Sequence, residues 1–220
     1  MDPAREATFV AGLLYLLRMV SGLLSVAPSV DGKDFMVSVA ANRASVLRAG
    51  FFQVVMFPAD VGIAVALYPV LRTHGEGLAV GFASLRIGAG LLVLMGVLLL
   101  LLLLMISQEF VEDDASAGGP WQVLGRVLRH GRDLVNHVAM VFAVGGGSLL
   151  LFWLLFQADL VPRWLSGWGV AGVVMAMVGC VLVMCRLISV TSFRYVALTL
   201  PFAAQELAFA AWLIFRGLHA

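Results

Sequence analysis

Hydrophobic residues along the chain form six apolar stretches separated by more polar connections. Each stretch is about as long as the roughly 20 residues that a helix needs to cross a hydrocarbon core of about 30 Å. The stretches lie near residues 7–27, 51–71, 78–106, 134–157, 165–187 and 195–215. The pattern therefore predicts an all-α fold, a six-helix transmembrane bundle in which residues 1–220 form a single integral membrane domain.

The connections between these stretches alternate in length. Residues 72–77 and 158–164 are predicted tight turns, whereas residues 28–50 and 107–133 are predicted polar loops at the opposite face, joined there by a short link at 188–194. Because the number of spans is even, both termini are expected on one face, together with the tight turns. Eight Lys and Arg residues lie on the long-loop face and four on the other. The positive-inside rule would therefore place the long loops in the cytoplasm.

The second long loop contains a short amphipathic segment at residues 121–133. Its apolar and basic positions separate at helical spacing. One interpretation is a helix that lies in the membrane interface beside anionic lipid head groups. The other is that these residues are the solvated first turns of the fourth span.

Composition narrows the class of protein. The chain is 62% hydrophobic and 12% charged, with a mean hydropathy of +1.02, whereas a soluble domain is about half apolar and a quarter charged. We therefore expect the lipid bilayer as the main partner. A formal charge of +1 gives no indication of nucleic-acid binding, and none is expected. The single lysine, Lys33, lies in a loop, which excludes a retinal-type Schiff base on a transmembrane lysine.

Four ionisable side chains interrupt the apolar stretches: Arg18, Asp60, Arg86 and Glu206. An ionisable residue inside a membrane costs at least a few kcal/mol unless it is paired or hydrated, and it often marks a functional site. At about 1.5 Å of rise per residue, all four lie roughly 12–18 Å from the face that carries the termini. The sequence therefore predicts one charged layer near the midplane.

Two ion pairs are expected within this layer. Asp60 and Arg86 face each other across a predicted hairpin, and Arg18 and Glu206 lie on the first and last helices, which are often neighbours in a closed bundle. The layer has two interpretations. It lines a polar cavity for a small amphiphile or lipid, or its ion pairs only fix the packing of the helices.

A second polar cluster is predicted near the long-loop face. Asp133 and His137 are four residues apart and share one helical face, and Arg186 ends the fifth span at a similar depth. These groups could serve acid–base chemistry, or they could cap a helix and anchor it at the interface. A metal site is not expected, because one histidine has no second or third ligand nearby. Haem is not expected either, since paired intramembrane histidines are missing, and no cofactor is predicted.

Four longer segments carry a family resemblance. They are AGLLYLL at 11–17, DVGIAVALYPVLR at 60–72, LVPRWLSGWGV at 160–170 and QELAFAAWLIFRG at 205–217. Taken together, they resemble the DUF4386 family of bacterial membrane proteins. The likeness includes an Asp-containing helix that leads to a Tyr and a basic turn, and a terminal Glu that is followed by Trp-Leu and a basic-Gly pair.

The resemblance implies that Asp60, Arg86, Asp133 and Glu206 occupy positions where the family has polar residues. It also implies a multi-pass protein of the bacterial cytoplasmic membrane, and it supplies no activity. The chain departs from the family pattern at Ala89, since the family often has a glutamate three residues after the third-helix arginine. This departure makes Asp60 the expected partner of Arg86.

Three functions remain open from the sequence. Binding or transport of a small amphiphile or lipid in a charge-lined midplane cavity is favoured over a structural or assembly role for the buried pairs. An intramembrane acid–base enzyme is favoured least, because no side chain stands out as a nucleophile. The sequence predicts neither the ligand nor the oligomeric state.

Overall fold

Helices form almost all of the regular structure of the chain. The computed structural model describes residues 2–113, 119–190 and 192–218, and no strand occurs among them. The helices are α1 (Pro3–Leu24), α2 (Phe35–Ala41), α3 (Arg43–Glu112), α4 (Pro120–Val138), α5 (Gly146–Gln157), α6 (Arg163–Met184) and α7 (Phe193–Phe215). The predicted all-α class is therefore confirmed.

The longest element, α3, is a hairpin of two antiparallel arms. Its backbone leaves the helical conformation at Gly75, where φ is 173° and ψ is 84°. The first arm (residues 43–74) then packs along the second arm (residues 76–112), as the contact of Phe57 with Gly90 shows. The chain reverses inside the segment that the sequence predicts as a tight turn.

With the two arms counted separately, the described residues form six helical segments of membrane-spanning length. Five helical stretches are long and apolar enough to cross a membrane, and one of these is the α3 hairpin. The stretch Pro120–Gln157 is continuous, because a π-helix at Ala139–Gly145 joins α4 to α5. The predicted six-helix architecture is confirmed.

The first predicted polar loop, residues 28–50, is mostly helical instead. It contains a 3₁₀ turn at Pro28–Val30, the whole of α2 and the beginning of α3. Phe35 and Val39, one turn apart on α2, are buried in a small hydrophobic cluster with Leu103 of the second arm. The short apolar face of α2 therefore packs against the bundle. The polar residues on either side of α2 make this packing hard to predict from the sequence.

The second predicted loop, residues 107–133, is also largely helical. The second arm of α3 continues to Glu112, α4 begins at Pro120, and residues 114–118 lie outside the described part of the chain. The amphipathic segment at 121–133 is thus the beginning of the fourth helical stretch. This agrees with the interpretation of the segment as the first turns of the fourth span. Contact of this segment with lipid head groups stays a prediction.

The first turn of α1 lies against the last turn of α7. The Arg5 guanidinium donates hydrogen bonds to the carbonyl oxygens of Leu213 and Ile214, which have no partner within a helix end. A cation at this position also interacts favourably with the helix dipole. The placement of both termini on one face of a membrane stays a prediction.

Candidate functional site

The four buried charges form a closed arrangement, which we call the charge ring (Arg18, Asp60, Arg86 and Glu206). Arg18 on α1 lies 2.9 Å from Asp60 and 3.4 Å from Glu206. Arg86 on the second arm of α3 lies 2.8 Å from Asp60 and 3.9 Å from Glu206. The ring therefore joins α1, both arms of α3 and α7, and its formal charge is zero.

The two predicted pairs, Asp60–Arg86 and Arg18–Glu206, are both present, but neither is isolated. Each arginine contacts both carboxylates, so positive and negative groups alternate around the ring. Depth along the helices gives the common layer, whereas the cross contacts depend on how the helices are arranged side by side. The sequence pattern contains no information on that arrangement.

Aromatic side chains cover the most buried part of the ring. Asp60 and Arg86 have no exposed side-chain surface. The Cζ atom of Arg86 lies 4.8 Å from the centre of the Tyr15 ring, a cation–π contact. Tyr15 in turn packs edge-to-face on Phe209. This side of the ring has no surface in contact with bulk solvent, so the charges interact at a dielectric lower than that of water.

Hydrogen bonding in the ring is incomplete among the described residues. The Nε atoms of Arg18 and Arg86 approach the same oxygen of Asp60, but neither contact has hydrogen-bond geometry. The second carboxylate oxygen of Asp60 has no hydrogen-bond partner there. Arg18 Nη1 donates a long hydrogen bond of 3.4 Å to Glu206, so charge attraction rather than a full set of hydrogen bonds holds the ring together.

Five cavities of about 290–480 Å³ stand out in the described part of the chain, and no ring residue lines any of them. Three are mainly apolar grooves: between the arms of α3 beside Tyr68, at the α6–α7 turn beside Phe193, and beside Val37 of α2. The other two are polar and adjoin each other. The two polar cavities lie at one end of the bundle, and the midplane cavity stays a prediction.

The larger of these, which we call the polar cavity, has a volume of about 480 Å³. Its lining includes Gln53, Arg129, Arg132, Asp133, His137 and Tyr195. Gln53 precedes Asp60 by seven residues on the first arm of α3, which is about 10 Å along a helix. The polar cavity therefore lies about two helical turns from the charge ring, toward the ends of α1 and α6.

The last turns of α4 supply one wall of the polar cavity. Asp133, Asn136 and His137 share a face of α4, because residues three and four apart are neighbours on a helix. Gly96 on α3 allows α4 to come close, since a methyl group there would lie 2.5 Å from the Asn136 amide oxygen. The π-helix that follows at Ala139 is a rare conformation, often found at functional sites.

The protonation of His137 follows from its hydrogen bond. Its Nδ1 atom lies 2.6 Å from the carbonyl oxygen of Asp133. A carbonyl oxygen only accepts, so Nδ1 carries the proton and donates. In the neutral ring, Nε2 is then an acceptor.

Charges of both signs line the polar cavity in equal number. Arg129 donates to the backbone oxygens of Gly32 and Asp31. Arg132 lies 3.6 Å from Asp133, and its buried Nε has no hydrogen-bond partner among the described residues. The cavity can thus offer donors and acceptors together, which suits a zwitterionic or strongly hydrogen-bonding group.

Gln53 is a lining residue that the sequence did not predict as part of the site. Its exposed fraction is 7%, and its Oε1 atom has no hydrogen-bond partner among the described residues. A buried amide oxygen without a partner is costly in a protein interior. The signal in the sequence was its spacing: a glutamine two helical turns before Asp60 lies on the same face of an apolar helix.

The smaller polar cavity, which we call the side cavity, has a volume of about 320 Å³ between α4 and the end of α6. It brings together Asp133, His137 and Arg186, the second cluster that the sequence predicts. Asp133 and His137 line both cavities and form a shared wall. Within the described ranges, no group of three or more His, Cys, Asp and Glu side chains is placed to hold a metal ion.

Comparison with protein families agrees with the sequence resemblance. The family model described as a domain of unknown function (DUF4386) matches residues 10–217, almost the whole chain. No curated protein and no solved structure matches the chain. The family match supports the fold and leaves the activity to be argued from the cavities.

Proposed function

The chain belongs to the DUF4386 family, and we propose that it binds the polar head group of a membrane amphiphile in the polar cavity. The observation that carries this proposal is Gln53, a buried amide that lines the cavity with an unpartnered oxygen. A ligand group that donates a hydrogen bond to this oxygen would remove its desolvation cost. The amide is thus placed to recognise a polar ligand.

The charges of the cavity favour a head group over a simple ion. Arg132 and Asp133 offer both signs within one cavity of about 480 Å³, a volume typical of small-molecule sites. The cavity lies at one end of helices that are long and apolar enough to cross a membrane. On this proposal, that end is at the level of the lipid head groups. An amphiphile could place its polar part there while its chains stay in the hydrocarbon layer.

Binding is favoured over transport because of the charge ring. A polar ligand that left the cavity toward the opposite face would have to pass the fully buried Asp60 and Arg86. Separating these charges in a low-dielectric environment is costly. We therefore assign the ring a structural role, holding α1, α3 and α7 in register, and assign binding to the polar cavity.

Gln53→Leu separates binding from folding. Leucine is similar in volume and leaves no amide oxygen unpaired, so the variant should be as stable as the wild type or more stable. Its affinity for a short-chain phosphatidylethanolamine should fall about tenfold, or about 1.4 kcal/mol. Asp133→Asn should weaken binding similarly. Thermal shifts of the purified protein in detergent, titrated with this lipid, measure both quantities.

Gln108→Leu is the matched control, because Gln108 lies on the other arm of α3 and lines a different cavity. It should bind the lipid as the wild type does. If Gln53→Leu and Asp133→Asn both retained wild-type affinity, the polar cavity would not be the binding site.

A further inference from the structure

The side cavity contains an arginine in a costly backbone conformation. Arg186 has φ of 57°, in the left-handed region that L-residues other than Asn and Asp rarely adopt. It follows the last turn of α6, where the amide of Leu187 donates to the carbonyl of Leu182 and the Arg186 amide donates to Val183. This is the Schellman helix end, in which glycine usually takes the left-handed position.

The end of α7 shows the usual solution in the same chain. There Gly217 occupies the left-handed position, with φ of 77°. An arginine in place of glycine costs roughly 1 kcal/mol of backbone strain. Such strain persists where the side chain has another task. Arg186 lines the side cavity, so the task is expected there.

The Arg186 guanidinium is available for a ligand. No carboxylate of the described residues lies within ion-pairing distance of it, in contrast to Arg132, which lies beside Asp133. The remaining lining of the side cavity is amphipathic, with His130 and His137 beside the apolar Leu134 and Val183. This combination suits an anionic group that is attached to an apolar chain.

We propose that Arg186 is the anion subsite of the head-group site. The ligand's phosphate or carboxylate binds to Arg186 in the side cavity, and the rest of its head group extends past Asp133 and His137 into the polar cavity. This inference rests on the proposed function and specifies its ligand class. The ligand is an amphiphile with an anionic group near its chain and a neutral or cationic group beyond it.

The shared wall sets the orientation of this ligand. Arg186 attracts the anionic part into the side cavity, and the Asp133 carboxylate of the shared wall attracts an ammonium group that extends past it. A second carboxylate, Asp31, lines the far part of the polar cavity and favours the cationic end there. Exposed Leu134, beside the side cavity, provides an apolar surface for the first methylenes of the chain.

Arg186→Gly tests this subsite without disturbing the fold. Glycine adopts the left-handed position freely, so the melting temperature should stay the same or rise. Affinity for short-chain phosphatidylethanolamine should fall at least tenfold. Affinity for the matching diacylglycerol, which lacks the phosphate, should not change. Arg194→Gln is the control, because Arg194 is exposed in the next helix and lines a different groove.

A competition experiment distinguishes two sources of the anionic group, a lipid head group and free phosphate. Displacement of the lipid by millimolar inorganic phosphate from the wild type would indicate that a free phosphate suffices. Resistance to phosphate would indicate that the group must belong to a lipid. Either result supports an anion subsite if Arg186→Gly weakens lipid binding and Arg194→Gln leaves it within twofold of the wild type.

Results that would overturn the anion subsite differ from those that would overturn the head-group site. Equal lipid affinity of Arg186→Gly and the wild type would overturn the subsite, as would an equal loss in Arg194→Gln, which would indicate unspecific attraction. In either case the proposed head-group site would stand if Gln53→Leu still weakened binding. Failure of the wild type to bind any of these probes would overturn both proposals.

Discussion

Replacing Asp60 by asparagine is expected to destabilise the folded chain by about 3–5 kcal/mol, the cost of leaving a buried charge without its partner. Asparagine has nearly the same shape, so the change removes charge rather than volume. Arg18 and Arg86 would then share a single carboxylate, Glu206, and the ring would carry a net positive charge.

An exposed ion pair of the same length is the control. Arg163 lies 2.8 Å from Asp159 at the α5–α6 turn, the distance between Arg86 and Asp60, but the Asp159 side chain is 60% exposed. Water screens such a pair, so Asp159→Asn should leave the melting temperature nearly unchanged. Melting temperatures in detergent compare the two variants. Equal and small shifts in both would contradict a desolvated ring.

Exchanging the charges of Asp60 and Arg86 is expected to fail as a rescue. In an isolated pair, the double variant Asp60→Arg with Arg86→Asp would restore the interaction that each single variant loses. In the ring, an arginine at position 60 would face Arg18, and an aspartate at position 86 would face Glu206. Two repulsive contacts in a low-dielectric interior would replace two attractive ones.

Neutralising the same two positions should succeed where the exchange fails. Asp60→Asn with Arg86→Gln leaves Arg18 and Glu206 as a balanced pair. Its loss of stability should be smaller than the sum of the single losses by about 1–3 kcal/mol, as for residues in one network. Folded yield and melting temperature are compared for Asp60→Asn, Arg86→Gln, their combination and the charge exchange. Recovery of wild-type stability by the exchange would show that the pairs are independent.

The sequence predicted the fold well because the number of membrane-spanning helices depends on long apolar runs. It failed at residues 28–50, since the apolar face of α2 spans only Phe35–Ala41 and is flanked by polar residues. A face of two turns is too short to stand out from a loop by periodicity alone. Its burial depends on a distant segment, the second arm of α3.

The candidate site was predictable only in part, because it too depends on contacts between segments that are distant in the sequence. The level of Arg18 and Glu206 follows from the rise per residue, and the spacing of Asp133 and His137 follows from the helical repeat. The polar cavity instead arises where the end of α1, the first arm of α3, α4 and the link before α7 converge. That convergence brings Gln53 and Asp133 to the same cavity, and no local sequence pattern contains this information.

On the proposed function, the chain combines a structural element and a binding element at two depths. The charge ring ties four helical segments together, and the polar cavity lies about 10 Å away, as judged from the spacing of Gln53 and Asp60. A neutral ring can hold the cavity walls without attracting a ligand to the midplane. The central claim is therefore the position of the ligand at the end of the bundle.

Photocrosslinking tests that position most directly. The probe is a phosphatidylethanolamine with a photoreactive group on its head, applied to the full chain reconstituted in phosphatidylcholine vesicles. We predict crosslinks within residues 129–137 and at or beside Gln53, all suppressed by excess unlabelled phosphatidylethanolamine. Crosslinks confined to the groove between the arms of α3, or to segments around the charge ring, would contradict the account.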